Sequence, residues 1–128
     1  MGVGDKEDMS FEMDLSKAGY EMFFKPYQVQ AIQYLWTVEG SAKSVDVWNH
    51  VKVLGDGISR ASIINSLNDM VDHGILDHVE RTGKGGHHRV YSHKYTETQL
   101  KEYLASSIIM KLFKEFPVET RKAVKNAQ

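Results

Sequence analysis

The stretch Ser59–Tyr95, SRASIINSLNDMVDHGILDHVERTGKGGHHRVYSHKY, decides how this chain is read. Its first half sets Ile63, Leu67, Met70 and Val71 at helical spacing, with one inward face. Ser59 suits the N-cap, and Gly74 stands where a left-handed C-terminal residue is wanted. Then the period changes. Ile75, Leu76 and Val79 lead into a strand, and Val90 and Tyr91 belong to a second one. Between them Thr82-Gly83-Lys84-Gly85-Gly86 is a run that neither helix nor strand favours. The reading is helix, strand, glycine-rich tip, returning strand.

Upstream, Pro26 suits the first turn of a helix, where it has no N–H to lose. Val29, Ile32, Leu35 and Trp36 follow at helical spacing as far as Val38, with Trp36 read as a core anchor. Glu39-Gly40-Ser41 ends that helix. Ser44 caps a short second helix, Val45 to Val53, with Val47, Trp48 and Val51 inward. Asp46 lies in its first turn, where the helix dipole favours a negative charge. Leu54-Gly55-Asp56-Gly57 makes the turn into the third helix, and a glycine-bearing turn between short helices is a helix-turn-helix signature. Residues 1–23 read as an acidic, partly disordered arm in which Phe11, Met13 and Leu15 alternate well enough to dock as a strand. Tyr20, Met22, Phe23 and Phe24 are too apolar to stay solvated and are expected beside the first helix.

Downstream, Thr96 with Gln99 three residues on forms a capping box. Leu100, Tyr103, Leu104, Ile108, Leu112, Phe113 and Phe116 then recur at threes and fours up to Pro117. Ile109 and Met110 widen this stripe beyond what one small domain covers, so residues 96–128 read as a dimerisation helix and a basic tail. The plainer alternative is that the helix packs back on the first.

The chain has 128 residues, enough for one core plus an appendage. Hydrophobic content of 41% and charged content of 26% are ordinary for a globular protein. The absence of Cys excludes a disulfide framework, a thiol nucleophile and thiolate metal sites, and fits a cytoplasmic setting. No apolar run approaches the roughly 18 residues of a membrane span, and no signal-peptide core is expected. Net charge is −1, but it is unevenly spread. Residues 26–80 carry seven acids and three bases, whereas residues 81–94 carry Arg81, Lys84, Arg89 and Lys94 with no acid, a net of +4.

From Phe24 to Thr96 the chain resembles a winged helix-turn-helix domain, and within that group the penicillinase-repressor family of bacterial and archaeal transcription factors. The multiple-antibiotic-resistance regulators are a more distant likeness. The matching pieces are Ile32-Gln33-Tyr34-Leu35-Trp36, then Ser62-Ile63 and Leu67, then Met70 to Leu76, and Gly86 to Tyr91 as the wing's return strand. The resemblance implies a mainly α fold with a small β-hairpin wing, residues 24–95 as the DNA-binding domain, and a homodimer made through the C-terminal helix. The cysteine cluster of copper-responsive relatives is absent.

In such a fold the N-terminal part of the third helix enters the major groove. Arg60 can donate two hydrogen bonds to guanine, and Asn65 can pair with the edge of adenine. Ser59 and Ser62 are short enough to reach phosphate oxygens, and Ser66 is expected on the same DNA-facing side, which the core does not claim. On the wing, Arg81, Lys84 and Arg89 can neutralise phosphates or enter the minor groove, Gly85 allows close backbone approach, and His87 and His88 add charge as pH falls. One departure stands out. Asp69 and Asp72 would repel phosphate, so the runner-up reading is a winged helix used for protein contact. No metal, cofactor or catalytic centre is expected: His73, His78, His87, His88 and His93 crowd one region, but none sits at the i, i+4 spacing of a preformed helical pair. The partners expected are double-stranded DNA and a second copy of the chain, with no membrane; no small-molecule effector can be named.

Overall fold

The computed structural model describes residues 12–54 and 57–128. The readings made on Phe11, Gly55 and Asp56 therefore lie outside the described residues. The protein is mostly helical with a small three-stranded antiparallel sheet.

Helix α1 (Pro26–Thr37) starts at the proline, and the preceding Lys25 N–H donates to Gln28 Oε1 at 2.8 Å. A two-residue strand, β1 (Ala42–Lys43), leads directly into α2 (Ser44–Leu54). Val47 and Val51 are completely buried, and Trp48 Nε1 donates to the carbonyl of Ile58 at 2.9 Å, tying α2 to the entry of α3. Helix α3 (Arg60–Asp72) is capped by Ser59, whose Oγ accepts from the Ser62 N–H at 3.0 Å.

Its exit is as well defined as its entry. Gly74 takes a φ of +76°, its N–H donates to the carbonyl of Val71 at 3.0 Å, and the Ile75 N–H donates to Met70 at 2.8 Å. These are the two hydrogen bonds of a Schellman stop, which satisfy carbonyls a helix end leaves open. Ile75 and Leu76 enter the core at once. Strands β2 (Leu76–Gly83) and β3 (Gly86–His93) then form a hairpin in register from Leu76↔His93 to Gly83↔Gly86, closed by Lys84-Gly85. Gly86 has a φ of +94°, which favours glycine at the tip. β1 completes the sheet in the order β1-β3-β2, with Ala42 opposite Tyr91.

Helix α4 (Glu97–Glu115) carries the expected capping box: Thr96 Oγ1 accepts from Gln99 N–H at 3.2 Å, and Gln99 Oε1 from Thr96 N–H at 3.0 Å. The region expected to be a basic tail is instead a second helix, α5 (Pro117–Ala127). Pro117 cannot continue the hydrogen-bond ladder of α4 but suits the first turn of a new helix. Thr120, buried, donates through Oγ1 to the Leu112 carbonyl at 3.0 Å and so holds α5 against α4.

One core joins these elements. Leu35, Val47, Val51, Ile63, Leu67, Ile75 and Leu100 are its fully buried side chains, so every helix but α5 contributes. The end of the arm, Tyr20 and Phe23, also packs on it, whereas Met13 and Leu15, expected to be able to dock as a strand, are exposed and form none. A single 3-10 turn, Gly19–Met22, brings the Tyr20 ring to 6.2 Å from that of Trp36, and Phe24 is buried. No helix among the described residues is long and apolar enough to cross a membrane.

A Cβ at Gly74 would meet nothing closer than 3.8 Å, so only its left-handed backbone resists a side chain. Gly74→Ala is expected to cost about 1–2 kcal/mol, read as a lower urea midpoint with an unchanged slope.

Candidate nucleic-acid interface

Helix α3 and the hairpin face one another across a cleft of ≈ 560 Å³. Five residues singled out from the sequence line it: Arg60 from α3, and Lys84, Gly85, His88 and Arg89 from the hairpin. Lys43 and Ser44, at the junction of β1 and α2, close the third side. Arg60, Ile64 and Asn68 come from α3 at intervals of four, which puts them in one row along the helix. Among the described residues no acid lines this cleft. The ion pairs Glu97–Lys101 and Glu115–Lys111 lie on α4, away from it.

Arg89 is held. Its Nη1 donates to Asn68 Oδ1 at 3.0 Å, and Tyr91 Oη donates to the same oxygen at 2.7 Å. Burial lifts the Tyr91 phenol above its usual pKa, with Arg89 pulling it back, so the ring keeps its O–H as a donor. Asn68 therefore buckles β3 onto α3. The sequence did not single it out; the one available signal was its place four residues after Ile64 and eight after Arg60 on the cleft-facing row.

The other expected contacts divide. Ser59 and Ser62 engage each other: Ser59 Oγ donates to Ser62 Oγ at 2.9 Å while capping α3. Asn65 is exposed on the outer side of α3. Arg81 and His87 are exposed on the hairpin but do not line the cleft; Arg81 stands across from His88, and Thr82 Oγ1 lies 3.3 Å from His87 Nδ1. Ser66 requires correction. It is 5% exposed, and its hydroxyl donates to Tyr27 Oη at 3.3 Å and accepts from Gln28 Nε2 at 3.4 Å. It sits on the same side of α3 as Ile63 and Met70, the side the core takes.

The expected dimer surface also needs correction. Leu100 and Leu104 are 2% and 3% exposed and belong to the protein's own core. Leu100 closes with Val29, Ile32 and Trp36 around a gap too small for water. Tyr103 stacks on Tyr95 at 5.0 Å and donates to the His73 carbonyl at 3.2 Å. The first half of α4 thus packs back on the domain, while Ile108 and Phe113 are half-buried. What stays open lies further along. Leu112 and Phe116 are exposed with Ile109, Met110 and Val118, and an apolar hollow of ≈ 430 Å³ runs between Ile109, Leu112 and Phe116 on one side and α5 on the other.

Among the described residues no three His, Asp or Glu side chains are placed to share a metal ion. His73 Nδ1 donates to the Asp69 carbonyl at 2.6 Å, and His93 Nδ1 lies 3.3 Å from that of Leu35. No protein-family model matches the chain, and a search of curated proteins finds no match either.

Ser66→Ala tests the correction on α3. It should leave affinity for any duplex unmoved while shifting unfolding by about 1 kcal/mol; a loss of duplex affinity with unchanged stability would return Ser66 to the interface.

Proposed function

We propose that the chain is a winged helix-turn-helix DNA-binding regulator, acting as a repressor by occupying promoter DNA. Helix α3 lies in the major groove and the hairpin is its wing, set on the flanking backbone or in the minor groove. The observation that carries this reading is the acid-free cleft, where Arg60 of α3 and Lys84 and Arg89 of the hairpin face one volume with Lys43. Two elements distant in sequence supply charge of one sign to one place. A polyanion that contacts both elements at once is the ligand such an arrangement favours.

The acids of α3 fit this reading better than their number suggests. Asp69 and Asp72 follow Arg60 by roughly 13 and 18 Å along the helix axis. In a helix that enters the groove by its N-terminal end they stand outside the contact. Their exposure is also what favours the second reading, a winged helix that docks on a basic protein surface. Binding to such a partner, with no affinity for duplex at any salt, would select it.

Dimerisation falls to the distal half of α4 and to α5, where Ile109, Leu112 and Phe116 remain open. A two-fold dimer matches an inverted-repeat operator with half-sites one or more helical turns apart.

Selection of genomic fragments on the immobilised protein, then anisotropy titration of the enriched duplex across salt, tests the whole reading. A steep fall of affinity with salt is expected, and no enrichment would end it. Lys84→Ala should weaken binding to all duplexes and flatten the slope of log K against log salt by about 1. Arg60→Ala should instead relax preference at one base pair, by about 1–3 kcal/mol; equal losses on every sequence would remove Arg60 from base reading. Leu112→Glu with Phe116→Glu should yield a monomer by sedimentation with little change in melting temperature, since both side chains are already exposed.

A further inference from the structure

Asn68 defines the chemistry of the cleft. Its Oδ1 accepts from Arg89 Nη1 and from Tyr91 Oη, so both acceptor positions of the oxygen are taken. A guanidinium only donates, so the amide is fixed with its oxygen towards β3 and its nitrogen turned away. What Asn68 has left to offer the cleft it lines is the NH₂ group. Lys43, Arg60 and Lys84 also donate and never accept. Ser44 and His88 can act either way. Ile64 and Val45 add apolar wall. A volume bounded by cations and fixed donors, with no carboxylate among the described residues, suits a group that is anionic and only accepts hydrogen bonds.

We propose that this cleft seats one phosphate of a bound nucleic-acid strand, with Asn68 Nδ2 as the fixed donor that positions it against Lys43 and Lys84. This deepens the DNA-binding reading and rests on it. The hairpin then straddles a backbone rather than lying wholly in the minor groove. Asn68 is also barred from adenine, because the paired contact to N6 and N7 needs its oxygen as well as its nitrogen. A free phosphate compound has the same chemistry as a strand phosphate, so the test includes both.

Two variants separate positioning from mere support of the fold. Asn68→Asp keeps an acceptor for Arg89 and Tyr91, so the hairpin stays buckled and the melting temperature holds or rises. It also puts an anion in the seat, and duplex affinity should fall by roughly tenfold or more, below that of Asn68→Ala. If Asn68 only supported the fold, the order would reverse, with the Ala variant the weaker binder and the Asp variant near wild type. That order overturns the proposal. In the ¹⁵N-labelled full chain, the Asn68 side-chain amide resonances should move on adding the enriched duplex, and also on adding pyrophosphate. Salt-dependent duplex binding with this amide unmoved would remove the seat and leave the DNA-binding reading standing. Movement with pyrophosphate but no affinity for any duplex would keep a phosphate seat and end the DNA-binding reading. No movement with either probe overturns the seat outright.

Discussion

The left-handed turn at Gly74 is the constraint on which the placement of the hairpin depends. Because α3 ends there with both Schellman hydrogen bonds made, Ile75 and Leu76 pass straight into the core and β2 starts without slack. The hairpin register then puts Tyr91 and Arg89 on the part of β3 that reaches back to Asn68, more than one turn upstream of the stop. A slip by one residue would turn every side chain of the strand to the opposite face. The buckle, the cleft and its charge thus follow from one backbone conformation that glycine adopts readily.

Much of this architecture was legible in the sequence because local chemistry and tertiary packing agree. Ser59 as cap, Gly74 as stop, the Thr96–Gln99 box and the glycine-rich tip each have a short-range cause, and all four stand where expected. What was not legible depends on partners far away in the chain. β1 is two residues long and exists only because Tyr91 and Val90 pair with it. Ser66 looks like a surface polar residue until Tyr27 and Gln28 of α1 are brought to it. Asn68 has no distinguishing local signal, and its role comes from side chains 21 and 23 residues away. In α4 the apolar stripe was visible, but one stripe cannot announce that its first half meets α1 and only its second half stays open.

Charge follows the same division. A chain of net −1 carries a cleft bounded by Lys43, Arg60, Lys84 and Arg89 because three separate segments deliver their bases to one volume that no acid among the described residues lines. Composition averages over this separation, and the fold undoes the average. The local field, and not the total, decides which ligands are attracted at close range, since distant charges are screened within roughly 8–10 Å at ordinary salt.

The continuity of α4 has a consequence for how this chain can vary in length. Leu104 is locked in the core and Ile109 opens outward on the same unbroken helix, so the two faces share one rotational phase. One residue inserted between them would turn the distal face by about 100° and advance it by about 1.5 Å. An insertion of three or four residues nearly restores the direction while moving the face about one turn further out. Length changes in this segment are therefore tolerated in steps of a helical turn, and whatever meets the distal face is indexed to the domain by that step.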